Sequence, residues 1–367
     1  MGSIRSFIPE DIPLVADLWQ RVFHKSSQTA SAELRAYFAD IFFHNPWYDK
    51  TLPCLVYEER GGKLGGFLGV IPREMAFQGR PVRVAVATQL MVDPAFRDGF
   101  AAFELLKHFF SRSQDLSYSD GANEIAANIW RRVGGQVAML YSMDWTRVLR
   151  PAEYFRQGRR RDLPSGVARL AYPACLLLDA AAARLPLNPF RPPRAAAPEE
   201  EATPEAISAC LDRLTGSQAL MPSYSPETLR WVLDKAGEAR GLGELLKVLV
   251  RDARGEAVGW YVYYLKPGGI GEVLQVAGRK GLLGQVLEHL FHHSWRRGAI
   301  GVRGQLNPIF AHQLWDLRCG LAYRGQSVLV QSNRQDLLCA IHRGDALLTR
   351  LDGEWWLRLG IDRALGW

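Results

Sequence analysis

A chain of 367 residues is longer than one ordinary domain, and two domains is the natural expectation. Hydrophobic residues make up 48% and charged residues 23%, a core-forming mixture that excludes wholesale disorder and a fibrous repeat. The net charge of +7 is unevenly placed: between Pro151 and Ala197 stand eight arginines against three acids. That segment reads first as a solvated connector, and contact with an anionic partner is the sharper reading. No nucleic-acid-binding motif accompanies it, so no specific nucleic-acid partner is expected.

In chain order, Glu10 and Asp11 interrupt any signal-peptide core near the start, and no apolar run approaches the ~20 residues of a membrane span. Ser31-Ala-Glu-Leu-Arg-Ala-Tyr-Phe38 predicts a helix with a serine cap and an acidic first turn. Cys54-Leu-Val-Tyr57 and the turn Gly62–Phe67 predict a hairpin. A strand then runs from Val84 into Val92-Asp-Pro94, and a Gly-containing turn opens a helix that continues to Phe109. The same three signals return in order: Ser225–Val232, Gly255–Trp260 after Val248–Val250, and Arg279–Glu288 leading to Phe291. The repetition predicts duplication of one α/β unit. Between the copies lie the basic Arg156–Arg161, a largely apolar helix from Leu163 to Leu185 interrupted by Pro173, and a proline-rich linker from Pro186 to Pro204. The apolar helix is expected to pack on a domain; an interfacial membrane helix is the less favoured reading. The five cysteines (54, 175, 210, 319, 339) show no CxxC pair and no histidine at zinc spacing, so neither a metal site nor a disulfide framework is expected. A reducing cytoplasm is the simpler location.

The strand end at Met91–Val92 and the turn Arg97-Asp98-Gly99-Phe100-Ala101-Ala102 have the chemistry of an anion site. Unpaired N–H groups at a helix N-terminus and small residues let a diphosphate approach the main chain. Val92, Pro94, Arg97 and Ala102 also resemble the V-x-P-x-x-[QR]-x-x-G-x-[GA] pattern of the GNAT superfamily of acyl-CoA-dependent N-acyltransferases. Phe100 stands where that pattern has its first glycine, and Gly99 sits one place early. Asn123, Ala126 and Gly134 match the family's N-x-x-A-x-x-x-Y-x-x-x-G in register, with Trp130 at the tyrosine position. The resemblance covers residues 3–150 well and 203–330 loosely, as in tandem GNAT proteins. It implies an α/β (α+β) fold: a GNAT-like domain at 1–150, a connector at 151–202 and a degenerate GNAT-like domain at 203–367, each with a mixed sheet.

The resemblance further implies acetyl-CoA or another acyl-CoA as co-substrate, a small-molecule primary amine or amino sugar as acceptor, and no metal. Asn123 would orient the thioester and Trp130 would pack near the thiol. Tryptophan cannot replace the family's thiolate-protonating tyrosine, because its indole N–H is not a usable acid. Tyr118, Asp120 and Tyr141 are the candidate substitutes. Thr88 and Gln89 offer no general base on their strand, whereas Glu272 occupies the corresponding place in the second copy. Glu58 and Glu59 read as solvated, His292-His293 as a surface pair, and Trp47 and Tyr48 as core, surface-loop or acceptor-pocket aromatics. Two rival functions stand beside acyltransfer: a non-catalytic CoA-binding scaffold, and aminoacyl-tRNA-dependent transfer of the peptidoglycan cross-bridge type.

Overall fold

The computed structural model describes residues 2–26, 28–96, 100–158, 165–185, 188, 190, 199–215, 218–239 and 241–357. The chain opens with β1 (Ser3–Ser6), α1 (Ile12–Trp19), α2 (Ala32–Phe43), β2 (Leu55–Glu58) and the long pair β3 (Leu64–Phe77) and β4 (Arg80–Val92). Then come α3 (Ala101–Phe110), β5 (Leu116–Ala122), α4 (Glu124–Arg132) and β6 (Gln136–Val137). The middle holds β7 (Met143–Val148), α5 (Pro151–Gly158), α6 (Ser165–Arg184), β8 (Glu199–Glu201), α7 (Pro204–Thr215), β9 (Leu220–Pro222) and α8 (Pro226–Gly237). The last stretch holds β10 (Glu244–Arg251), β11 (Ala257–Leu265), β12 (Ile270–Gly278), α9 (Leu283–Arg296), β13 (Gly301–Gln305), α10 (Ala311–Asp316), β14 (Gly320–Tyr323), β15 (Ser327–Gln331) and α11 (Gln335–His342).

Local chemistry explains many of these elements. The Ser31 hydroxyl accepts the Leu34 N–H at 3.2 Å to start α2, and Ser225 accepts the Thr228 N–H at 3.1 Å to start α8, with Pro226 in its first turn. In β4, Val82 and Val84 are buried while Arg83 is exposed, and from Val84 to Thr88 every residue is buried. That change marks a strand that starts with one wet face and becomes covered on both. β11 is buried along its whole length, with Trp260, Tyr261, Tyr263 and Tyr264 at its centre.

The two mixed sheets repeat one order. The first runs β1-β2-β3-β4-β5-β15-β6, with β9 added beside β3; the second, read from its other edge, runs β8-β10-β11-β12-β13-β7-β14. In each, the pair at the fourth and fifth positions is parallel, β4 with β5 and β12 with β13. The irregularities repeat as well. An extra residue enters β3 between Leu64 and Gly66, and β11 between Ala257 and Gly259. One extra residue likewise enters β4 opposite Leu68, and β12 at Leu274. Bulges at matching places in matching strands are the backbone counterpart of the duplication read from sequence.

The boundaries differ from those expected. One compact unit comprises residues 1–142, 218–241 and 324–367, and the other 143–217 and 242–323. A cut at 150 or 203 fails because each copy gives away a strand. β7 pairs with β13 and β14, whereas β15 pairs with β5 and β6. Residues 220–222 likewise hydrogen-bond to β3, and so the chain around α8 belongs with the first sheet. The linker ends as an edge strand: Glu199–Glu201 is β8, registered on Val248–Val250. Pro173 does not interrupt the apolar helix, since α6 is continuous through it. His293 is buried rather than a surface residue; its Nδ1 meets the Tyr263 hydroxyl at 2.8 Å. All five cysteines are free thiols.

A strand borrowed from the far end has a measurable consequence. A fragment of residues 1–150 keeps β5 and β6 but lacks the β15 that joins them. It should lack the cooperative thermal transition of the full chain, followed by circular dichroism. A fragment melting as sharply as the full chain would contradict the exchange.

Candidate active site

β4 and β5 are registered only from Val84 to Val86 against Leu116 to Tyr118. Beyond those pairs the two parallel strands part, and a cavity of about 490 Å³ is lined by Ala87–Leu90 of β4 and by Ser119, Gly121 and Ala122 of β5. Here the β4 bulge does its work. Phe67 faces Met91 and Gly69 faces Thr88, and so Gln89 and Leu90 together oppose Leu68. Gln89 takes φ +49°, a left-handed conformation uncommon for a residue with a side chain. Among the described residues, neither the oxygen nor the nitrogen of its buried carboxamide has a hydrogen-bond partner. An unsatisfied amide at a cavity wall suits a ligand that offers both a donor and an acceptor.

The other walls come from distant sequence. Trp19, Phe23 and His24 arrive where α1 runs into a π-type turn at Gln20–His24, a widened turn often found at functional sites. Trp130 of α4, 2% exposed, is held edge-on against Phe110 with ring centroids 4.9 Å apart. Arg324, Gly325 and Gln326, just before β15, and Glu354 complete the lining.

Glu354 is the acidic side chain lining this cavity. Its Oε1 accepts the Ser119 hydroxyl at 2.5 Å, and its N–H donates to Asp120 Oδ1 at 2.6 Å, so that two successive β5 residues grip it. The grip requires a glycine alongside. A Cβ on Gly353 would fall well inside contact distance of the Asp120 carboxylate. Upstream, the Tyr141 hydroxyl donates to the Ala346 carbonyl at 2.7 Å and accepts the Ala346 N–H at 3.2 Å. Asp352 accepts from the Thr349 N–H (3.0 Å), from its hydroxyl (2.6 Å) and from the Tyr224 hydroxyl. Burial nevertheless pushes the Asp352 carboxyl above the ordinary range.

A smaller cavity, about 10 Å³ and so room for one water, has Tyr118 in its wall together with Trp47 and Arg73. The buried Arg73 guanidinium lies 3.8 Å from the Trp47 ring centroid. Burial pulls its pKa down to about 10, against the opposing fields of Tyr224, Asp352 and Asp120.

A sequence profile for the GNAT acetyltransferase domain matches residues 3–119. The match runs from β1 into β5. No curated protein matches the chain in sequence. Among solved structures, a GCN5-related N-acetyltransferase from Anabaena variabilis superposes with TM-score 0.59 at 13% identity, covering 93% of this chain and 74% of that one. A conserved protein of unknown function from Enterococcus faecalis V583 gives 0.60 at 11%, covering 90% and 72%. A GCN5-related N-acetyltransferase from Kribbella flavida gives 0.54 at 12%, covering 90% and 72%. At such identities the likeness is one of fold, and it extends over both sheets.

The candidates read from sequence are dispersed. Asn123 and Trp130 line the larger cavity, although Asn123 Oδ1 is spent capping α4 through the Ala126 N–H at 2.9 Å. Met91 and Val92 are registered on Phe67 and Gly66 of β3. Phe100 stands exposed before α3, with Ala101 buried and Ala102 half-buried behind it; Arg97, Asp98 and Gly99 lie outside the described residues. Of the three candidate acids, Asp120 reaches the cavity only through Glu354, Tyr118 faces the smaller cavity, and Tyr141 is tied to Ala346. Trp47 lies buried under Arg73, whereas Tyr48 is exposed. In the second sheet Glu272 is ion-paired with Arg303, its direct neighbour on β13. Glu354 had no local signature in the sequence; it reaches Ser119 from 235 residues away.

Because the Glu354 grip depends on a side chain of hydrogen at 353, Gly353→Ala should loosen it. We expect a melting temperature lower by several degrees, on the scale of ~1–3 kcal/mol for a strained buried contact, read by differential scanning fluorimetry. An unchanged melting temperature would contradict the close approach.

Proposed function

We propose that the chain is an acyl-CoA-dependent N-acyltransferase, with acetyl-CoA as the simplest donor and a primary amine of a small molecule or amino sugar as acceptor. Catalysis is assigned to the first sheet. The observation that carries this reading is the meeting, in one cavity, of the opened β4–β5 pair of a GNAT domain with the carboxylate of Glu354. The bulged strand end at Gln89–Val92 offers its unpartnered carboxamide to the amides of a pantetheine arm. The turn from Arg97 to Ala102 is assigned to the diphosphate, on the match of its sequence and the start of α3.

The chemistry follows from the groups the cavity holds. A neutral amine attacks the thioester carbonyl, the C–N bond forms, and the nitrogen must lose a proton as the tetrahedral intermediate develops. Glu354, oriented by the Ser119 hydroxyl, takes that proton. The C–S bond then breaks and the thiolate leaves. Trp130 supplies no proton to it, and so the proton returns from Glu354 or from water. Asp120 acts through the Glu354 backbone as a positioning residue, and Tyr141 anchors the segment that delivers Glu354. A reducing, cytoplasmic setting belongs to this reading on the scattered spacing of the cysteines in the sequence.

Thiol release from acetyl-CoA against a panel of amines tests the reading. Glu354→Gln should lower kcat by ~10²–10⁴, the usual range for losing a general base, while acetyl-CoA affinity by calorimetry stays as in the parent. Equal turnover in the variant would remove Glu354 from the reaction. An absence of acetyl-CoA binding to the parent protein would contradict acyltransfer altogether.

A further inference from the structure

α6 carries its apolar side outward. Ala174, Leu177, Leu178, Ala181 and, one place past the helix, Leu185 recur at i, i+3, i+4, i+7 and i+11 and share one stripe. All five are exposed, with Leu177 at 72%, Leu178 at 63% and Leu185 at 60%. The opposite side faces α5. There the buried Asp179 carboxylate accepts the Ala152 N–H at 2.9 Å and the Glu153 N–H at 3.1 Å, at the start of α5. The helix is therefore turned with its acid inward and its leucines outward, the reverse of an ordinary surface helix. Phe155 and Tyr172 add exposed rings to the same helix pair.

Charge decides among the occupants such a face could have. The chain from Pro151 to Ala197 carries eight arginines against three acids, a formal +5. Two of those acids are already engaged: Glu153 pairs with Arg156 at 2.5 Å, and Asp179 caps α5. A second copy of the chain meeting this face would bring two strongly basic segments together, which repel. An anionic lipid surface satisfies both features at once, with apolar side chains entering the acyl boundary and the segment's net positive charge attracted to the headgroups. No helix among the described residues is long and apolar enough to cross a membrane, and so the arrangement is one of lying on the surface.

We propose that α6 docks this protein on anionic lipid bilayers through the Leu177–Leu178 stripe, aided by the net positive charge of the segment from Pro151 to Ala197. The inference is independent of the acyltransferase reading. Flotation of the full chain with vesicles tests it, comparing phosphatidylcholine alone with phosphatidylcholine mixed with phosphatidylglycerol. The protein should float with the mixed vesicles only, and less at high salt. The double substitution Leu177→Glu, Leu178→Glu should cut the floated fraction about tenfold or more, while the melting temperature, read without lipid, stays unchanged. Failure of the parent to float with anionic vesicles would overturn the proposal, as would a double variant that floats equally well. So would a dimer of the parent that the double variant converts to monomer in sedimentation velocity, because a second copy would then own the stripe.

Discussion

β15 enters the first sheet between β5 and β6, and the rest of the site depends on that insertion. Ser327, Leu329, Val330 and Gln331 register on Ala122, Ser119, Tyr118 and Ser117, while Leu329 and Val330 also hold Val137 and Gln136. Without these ladders β5 would be an edge strand with a row of unmet backbone groups, a costly state for a strand as buried as this one. The partners are far apart in sequence, 214 residues in the case of the Ser117 and Gln331 side chains, and loop closure over such a span is paid once for the whole exchanged strand. The chain beyond β15 is placed by the same insertion. Tyr141 fastens Ala346, Thr349 and Tyr224 hold Asp352, and Glu354 arrives against Ser119 and Asp120.

The two sheets share an order and their bulges, yet their interiors diverge. In the first, the opened β4–β5 pair leaves a cavity reached by an acid from outside the GNAT motif region. In the second, Glu272 of β12 is paired with Arg303 of β13, and the space between β11 and α9 is filled by the hydrogen-bonded pairs Tyr261–His289 and Tyr263–His293. That carboxylate is already engaged by a guanidinium. Glu354 of the first copy thus lines a cavity, whereas Glu272 of the second is engaged by its neighbour on β13.

Much of the fold was legible because its signals are local. Ser31 and Ser225 cap the helices they announce, and the glycine turns at Gly62 and Gly255 separate paired strands. The duplication was legible for the same reason. The domain boundaries were not, since no local pattern tells a strand which sheet it will join; β7 and β15 look alike whether kept or exchanged. The site divides in the same way. Trp130 and Asn123 follow from register within one segment, whereas Glu354 follows from a long-range pairing and a glycine fit. Tyr118 and Tyr141 were sensible candidates by chemistry and proximity in sequence, but strand alternation and a backbone carbonyl direct them elsewhere.

Hydrogen exchange of the full chain with and without acetyl-CoA addresses the central claim, that one composite site in the first sheet binds the donor. The account predicts slowed exchange in peptides covering 87–92, 119–123, 324–326 and 352–356 together, with no change across 273–278 and 302–306. Protection confined to the second set, or protection of β4 and β5 without any response near Glu354, would contradict it.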